Sequence, residues 1–217
     1  MRLFEDFYVY PWVSYQENNC NAVFIDGQVP VLIDPGHTHL FNNVAEGMAK
    51  DGKSPEAVKV VLCTHGHPDH IEAIDLFDNG VIRAISKEEH QFLIGQGKDM
   101  YLMTGCSLPK KPFKLFLREG SIKIGAKTFR VIPTPGHSPG SVCLYWEEKH
   151  LLISGDTVFY MGVGRTDLPG GDTEALRNSL QEVSKLNIEY LIPGHGEMLK
   201  GKDAIRKNFD VILGEFF

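Results

Sequence analysis

The stretch Thr64-His65-Gly66-His67-Pro68-Asp69-His70 puts three histidines and an aspartate within six positions, at the end of the apolar run Val60-Val61-Leu62. Imidazole nitrogen and carboxylate oxygen are the donors that divalent zinc takes. An HxH pair on a looped backbone can turn both rings to one ion, while the adjacent Asp-His pair turns to another. Three further stretches share this build, a ligand-type residue just after a β-run with Gly or Pro beside it. They are TPGHSPG after Phe129 to Ile132, SGDT after Leu151 to Ile153, and PGHG after Tyr190 to Ile192. Together they offer His65, His67, Asp69, His70, His137, Asp156 and His195, too many donors for one tetrahedral ion and enough for two. A carboxylate such as Asp156 can bridge. Two cations side by side would hold a hydroxide between them at neutral pH, because coordination lowers the pKa of water by many units. Without a metal, so many buried ionisable groups would leave unpaired polar atoms at about 1 to 3 kcal/mol each. His37, His39, His90 and His150 lack such settings and stay outside the set.

Loops at the ends of buried strands can expose such groups while the scaffold holds them. Short β-rich segments are expected at Phe7 to Val13, Ala22 to Ile25 and Val29 to Ile33, then a helix from Thr38 to Asp51 on Leu40, Val44 and Met48, stopped by Gly52. Val58 to Cys63 reads as a strand buried on both faces, Ile71 to Phe77 as helical, and Val81 to Ile85 as another strand. Ser86 caps a helix through Ile94; hairpin-like pairs follow at Ile122 to Ile132 and Val142 to Ile153. Asp172 caps a helix carrying Leu176, Leu180 and Val183, Ile188 to Ile192 is a short strand, and Ile205, Phe209, Ile212 and Phe216 stripe a terminal helix. This alternation predicts two mixed sheets between helix layers. Residues 95–115 are the least legible; their Met100, Tyr101, Leu102 and Met103 could close over the site or pair subunits into a homo-oligomer.

With 217 residues and no low-complexity linker, charge block or repeat, one α/β domain over residues 1–217 is expected. Lys plus Arg number 22 against 28 Asp plus Glu, a net charge of -6, so the overall field does not draw a nucleic-acid backbone. Glu5 and Asp6 stand where a signal peptide needs an apolar core, and no run reaches the roughly 18 apolar residues of a membrane span. A cytoplasmic protein with neither nucleic acid nor membrane as partner is expected. Cys20, Cys63, Cys106 and Cys143 form no CxxC pair and read as mostly buried thiols.

The motif His65-Gly66-His67-Pro68-Asp69-His70, continued in order by His137, Asp156 and His195, resembles the HxHxDH signature of the metallo-β-lactamase-fold superfamily. The resemblance implies an α/β fold of α+β type, a four-layer αββα sandwich of two mixed sheets with metals at one edge. It implies that His65, His67 and His137 bind a first ion, Asp69, His70 and His195 a second, and that Asp156 bridges. Asp34, in LIDPG, matches a family aspartate beneath the site that orients the ligand loop. Zinc is the first expectation, with iron or manganese as the alternatives.

Within the superfamily, GDTVFYMGVGRTDLPGGD is most similar to short type II glyoxalase-like hydrolases. That likeness implies a dinuclear enzyme that cleaves a small-molecule thioester or other activated acyl bond with a metal-bridging hydroxide, Asp69 orienting the nucleophile or shuttling its proton. Arg165 would meet a substrate carboxylate, or else pair with Asp167 to staple the loop. GRTD is also similar to persulfide dioxygenases, mononuclear iron enzymes that would use only His65, His137 and Asp156. Asp167 departs from longer glyoxalases, which place a glutathione-contacting tyrosine there.

Overall fold

The computed structural model describes residues 1–14 and 16–217, and the strands of its first half build one sheet. In spatial as in chain order these are β1 (Arg2–Phe4), β2 (Phe7–Tyr10), β3 (Ala22–Ile25), β4 (Val31–Ile33), β5 (Val60–Leu62), β6 (Ile82–Ser86) and β7 (Leu115–Leu117). Neighbours are antiparallel up to β4 and parallel from β4 to β7. Parallel neighbours need crossovers. These carry α1 (Asn42–Lys50), α2 (Pro68–Ile71) with a 3-10 turn at Glu72–Leu76, and the pair α3 (Lys87–Ile94) and α4 (Gly97–Thr104).

The second half forms β8 (Gly120–Ile124), β9 (Lys127–Pro133), β10 (Val142–Trp146), β11 (Leu151–Gly155), the small ribbon β12 (Val158–Phe159) and β13 (Gly162–Val163), α5 (Thr173–Val183), β14 (Tyr190–Pro193), β15 (Leu199–Lys200) and α6 (Lys202–Glu215). Its sheet runs β15-β14-β11-β10-β9-β8.

Burial shows how the layers stack, because successive side chains of a strand point to opposite faces. Val23 and Ile25 of β3 join Leu144 and Ile153 in a core between the sheets, whereas Ala22 and Phe24 face outward onto Val44, Met48 and Leu93. On the other side Cys143, Tyr145 and Leu152 pack against Leu176, Leu180, Phe209 and Ile212. Three apolar cores between four layers give the αββα sandwich of two mixed sheets.

The element differences have local causes. An unanticipated β1 pairs with β2 across a turn at Asp6, which takes φ 57°, and Pro11 follows the end of β2. The helix expected from Thr38 divides into a 3-10 turn at Thr38–Leu40 and α1. The helical run expected from Ile71 starts three residues earlier, since Pro68 fits a first helical turn, so Asp69 and His70 sit on α2. Phe216 lies past the end of α6 and is half exposed. Ser86 Oγ accepts from Glu89 N and Asp172 Oδ1 from Ala175 N, so both caps form as expected.

Strands β9, β11 and β14 run the same way in their sheet, so the loops that follow them open at one edge. The loop after β5 meets that edge, where Val142 N donates to Thr64 O at 3.0 Å, and so does the segment before β3, where Asn21 N donates to Gly194 O at 2.7 Å.

Candidate metal centre

At this edge the seven residues singled out by spacing come together. The His65 and His67 ring centroids are 4.7 Å apart, His65 and His137 4.9 Å, and His67 and His137 4.2 Å. Beside them His70 Nε2 is 3.3 Å from His195 Nε2, which is 3.2 Å from Asp69 Oδ2. Asp156 faces both groups, its Oδ2 lying 3.4 Å from His137 Nε2 and 3.3 Å from His195 Nε2. Its Oδ1 lies 3.1 Å from His70 Nε2.

The ring orientations follow from what holds the other nitrogens. His137 Nδ1–H donates to Arg165 O at 2.7 Å and His195 Nδ1–H to Asn19 O at 2.9 Å. His70 Nδ1 is 3.0 Å from Asp34 Oδ2, and His65 Nδ1 is 3.1 Å from Thr64 Oγ1, whose own hydroxyl donates to Asp34. Protons held at Nδ1 of the neutral His65 and His137 leave their Nε2 lone pairs aimed inward, and His70 and His195 turn their Nε2 atoms the same way. Among the described residues, Nε2 of His65, His67 and His137 are buried with no hydrogen-bond partner. Three orphaned acceptors at one place would be costly in a site meant to stay bare, and they suit a cation. Three groupings within this cluster have the mutual spacing that could hold an ion: His65, His67 and His137; His65, His70 and Asp156; and Asp69, His70 and His195.

Electrostatics separate the lobes. Burial, reinforced by neighbouring histidines, pushes His65 well down and His67 to about 3, which keeps both imidazoles neutral. Burial also works against a charged His70 and His195, but Asp156 outweighs it and raises both, His195 to about 10. Burial would raise Asp69 and Asp156, yet the His195 hydrogen bond and the His70 charge lower them, so both are carboxylates. In the metal-free chain protons on imidazole thus balance these acids, a place a cation can take.

Asp34 sits below with φ 52°, which costs a non-glycine residue about 1 to 2 kcal/mol. Its Oδ1 accepts from Thr64 N at 2.8 Å and its Oδ2 from Thr64 Oγ1 at 2.7 Å, besides facing His70. Bonds to a charged acceptor, at about 1.5 to 3 kcal/mol each, outweigh the strain.

Arg165 is on the surface. Its Nε and Nη2 donate to Asp167 at 2.9 and 2.7 Å, the loop-stapling arrangement, and its carbonyl accepts from His137 Nδ1–H. Residues 95–115 contain α4, in which Met100 and Tyr101 are packed while Leu102 and Met103 are exposed. These four residues therefore do not share one face of the helix. Met100 and Thr104 wall a cleft of about 420 Å³ over Asp69 and Asp156, with Phe159, Val163 and Leu168 as further walls.

Sequence reasoning missed the asparagines of Asn18-Asn19-Cys20-Asn21. Asn18 Nδ2 donates to Asp69, Asn19 supplies the carbonyl for His195, and Asn21 Nδ2 donates to Pro193 O and Gly196 O around that histidine. Their only local signal is asparagine-rich turn composition. His37, His39 and Glu72 also have ligand-like spacing outside the cluster, but Glu72 already accepts from His37 and from the backbone of Thr38 and Ser107.

A probable metallo-hydrolase of Methanocaldococcus jannaschii is 35% identical over 187 residues, 82% of this chain and 88% of that protein. The hydroxyacylglutathione hydrolase GloC of Haemophilus influenzae is 33% identical over 198 residues, 87% of this chain and 89% of that protein. Among solved structures, TTHA1623 in a di-iron-bound form superposes with a TM-score of 0.66 at 30% identity, covering 89% of this chain and 91% of that one. Residues 15–195 match the metallo-beta-lactamase superfamily as a whole. By that match and these relatives, the chain belongs to the metallo-beta-lactamase superfamily.

Proposed function

We propose that this metallo-hydrolase cleaves a small-molecule thioester or related activated acyl bond in the manner of hydroxyacylglutathione hydrolases. The observation that carries the reading is the two-lobed cluster joined by Asp156 beneath a partly apolar cleft. Its likeness to GloC supports the substrate class. His65, His67 and His137 would hold one divalent cation, Asp69, His70 and His195 a second, and Asp156 both. Bound there, divalent cations supply a Lewis acid and a water acidic enough to ionise at neutral pH; zinc suits this donor set, and the di-iron form of TTHA1623 makes iron the main alternative.

The protein's own groups do the rest. Met100, Phe159, Val163 and Leu168 take the acyl chain, so its carbonyl lies over Asp156. Asp69, ionised and therefore acceptor-only, orients the attacking water, with Asn18 fixing one of its oxygens. Water adds to the carbonyl carbon, the C–S bond breaks, and the proton from water reaches the departing thiolate by way of Asp69. The products are one carboxylic acid and one thiol.

The test is a paired assay on metal-analysed protein: thiol release from a series of acyl thioesters, and oxygen uptake with glutathione persulfide. Thiol release without oxygen uptake is expected. Oxygen uptake with a single iron per chain would replace this reading with the sulfur dioxygenase one.

A further inference from the structure

Glu89, in the first turn of α3, is fully buried, and among the described residues no cation pairs with it. A carboxylate in that setting has to be held by donors. The three that hold it come from two separate ligand loops. Its Oε1 accepts from Gly66 N at 2.8 Å, between His65 and His67. Its Oε2 accepts from Gly140 N at 2.7 Å and from Ser138 Oγ at 2.9 Å, in the loop that carries His137.

The same helices close the opposite side of each loop. Tyr101 OH, from α4, donates to Gly66 O at 2.8 Å, and Ser86 Oγ, the cap of α3, donates to Gly140 O at 2.6 Å. Both polar groups of each glycine are therefore fixed. The approach leaves no room for a side chain: a Cβ on Gly66 would stand 2.9 Å from Glu89 Oε1, and one on Gly140 2.1 Å from Glu89 N. Among the described residues, the Glu89 carboxylate accepts only from Gly66, Ser138 and Gly140 and bonds to none of the seven cluster residues, and so it spans the two loops that bear His65, His67 and His137.

We propose that Glu89 is a positioning residue that sets the distance between the His65–His67 loop and the His137 loop, and so tunes cation affinity at the lobe those three histidines form. This rests on the reading of His65, His67 and His137 as ligands. Glutamine keeps the shape of residue 89 but replaces one acceptor oxygen with an amide nitrogen, which faces a backbone N–H and cannot accept from it. One loop is then unlatched while the other stays bound.

The experiment titrates metal-free wild type, E89Q and S138A with Zn²⁺ against a chromophoric chelator, using His67→Ala to identify the step that belongs to this lobe. Loss of an outer contact to ligand loops weakens metal binding by about 10- to 100-fold. E89Q is expected to lose that much in the His67-dependent step, with the other step held within about threefold, and S138A to lose less in the same step. A purely structural role would lower the melting temperature of metal-free E89Q while leaving both affinities alone or weakening them equally, and that result overturns the proposal. If E89Q does not fold, S138A decides, and wild-type affinity in both steps then overturns it. If wild type takes up no Zn²⁺, the ligand reading itself fails. If wild type binds and both variants match it, only the role of Glu89 fails.

Discussion

Asn18 places its side-chain amide 2.6 Å from Oδ2 of Asp69, the carboxylate that would guide the attacking water. Asn18→Ala removes one donor from a charged acceptor and leaves the His195 contact in place. A bond of that kind is worth about 1.5 to 3 kcal/mol, so kcat/KM for a thioester is expected to fall about 10- to 100-fold. The melting temperature should hardly move. Steady-state kinetics beside a thermal melt checks this, and unaltered kinetics would remove Asn18 from the site.

Asp34 accepts from Thr64 twice and faces His70 Nδ1. Asp34→Asn keeps its shape but gives up the charge and turns one acceptor into a donor. Metal affinity is expected to drop about 10- to 100-fold. Asp34→Ala should be worse, because it takes the acceptor from three buried donors, Thr64 N, Thr64 Oγ1 and His70 Nδ1, and puts an alanine at φ 52°. Chelator competition orders the two variants against wild type.

The fully buried Arg83 donates to the carbonyls of Val81, Phe77 and Asp78 at 2.9, 2.6 and 3.1 Å, and to Ile74 O at 3.4 Å. It ties down the segment between α2 and β6, away from the chemistry. Arg83→Met leaves the Val81 and Ile74 carbonyls without their donor, while Phe77 O keeps Lys111 and Asp78 O keeps Val81 N, and is expected to cost about 3 kcal/mol. With a urea slope of about 2 kcal/mol per molar, the unfolding midpoint moves down by about 1.5 M. Activity per folded molecule should stay at the wild-type level.

Cation loading is coupled to protons. In the metal-free chain burial disfavours a charged His195, but Asp156 and Asp69 outweigh it and hold its pKa near 10, so at pH 7 this ring is charged. Loading must then release a proton, and affinity falls as the pH falls because protons compete for the same nitrogen. Calorimetry in two buffers of different ionisation enthalpy reads the release directly. Free cation at about a thousand times its Kd should also stabilise the fold by about 4 kcal/mol, seen as a lower melting temperature after chelation.

Arg165 and Asp167 make a two-pronged pair at the surface. If the guanidinium can leave it to greet a substrate carboxylate, Asp167→Asn lowers KM for acidic thioesters, and Arg165→Ala raises it about tenfold with kcat unchanged. An unaltered KM in both variants leaves the pair as a loop staple.

Much of this protein is written in short-range pattern. Ligand-type residues after β-runs marked the four loops, apolar spacing marked α1, α5 and α6, and the caps Ser86 and Asp172 marked where α3 and α5 begin. Such signals survive in sequence because they depend on neighbours one to four positions away. The α4 segment did not, since Gly97 opens it and only Met100 and Tyr101 of its apolar run turn inward.

What the sequence determined by itself was the candidate donor set and the strand ends that carry it. Which lobe each donor serves was there implied only by the family pattern. The tertiary structure decided the rest: that Asn18 reaches Asp69 across 51 positions, that Glu89 meets Gly140 across another 51, and that Arg165 turns to Asp167. The first contact exists because β3 and β5 stand two strands apart in one sheet, and the second because two sheets bring their loop-bearing edges together; no local period encodes either. The third lies within three residues, but its geometry depends on the loop that His137 fastens through the Arg165 carbonyl.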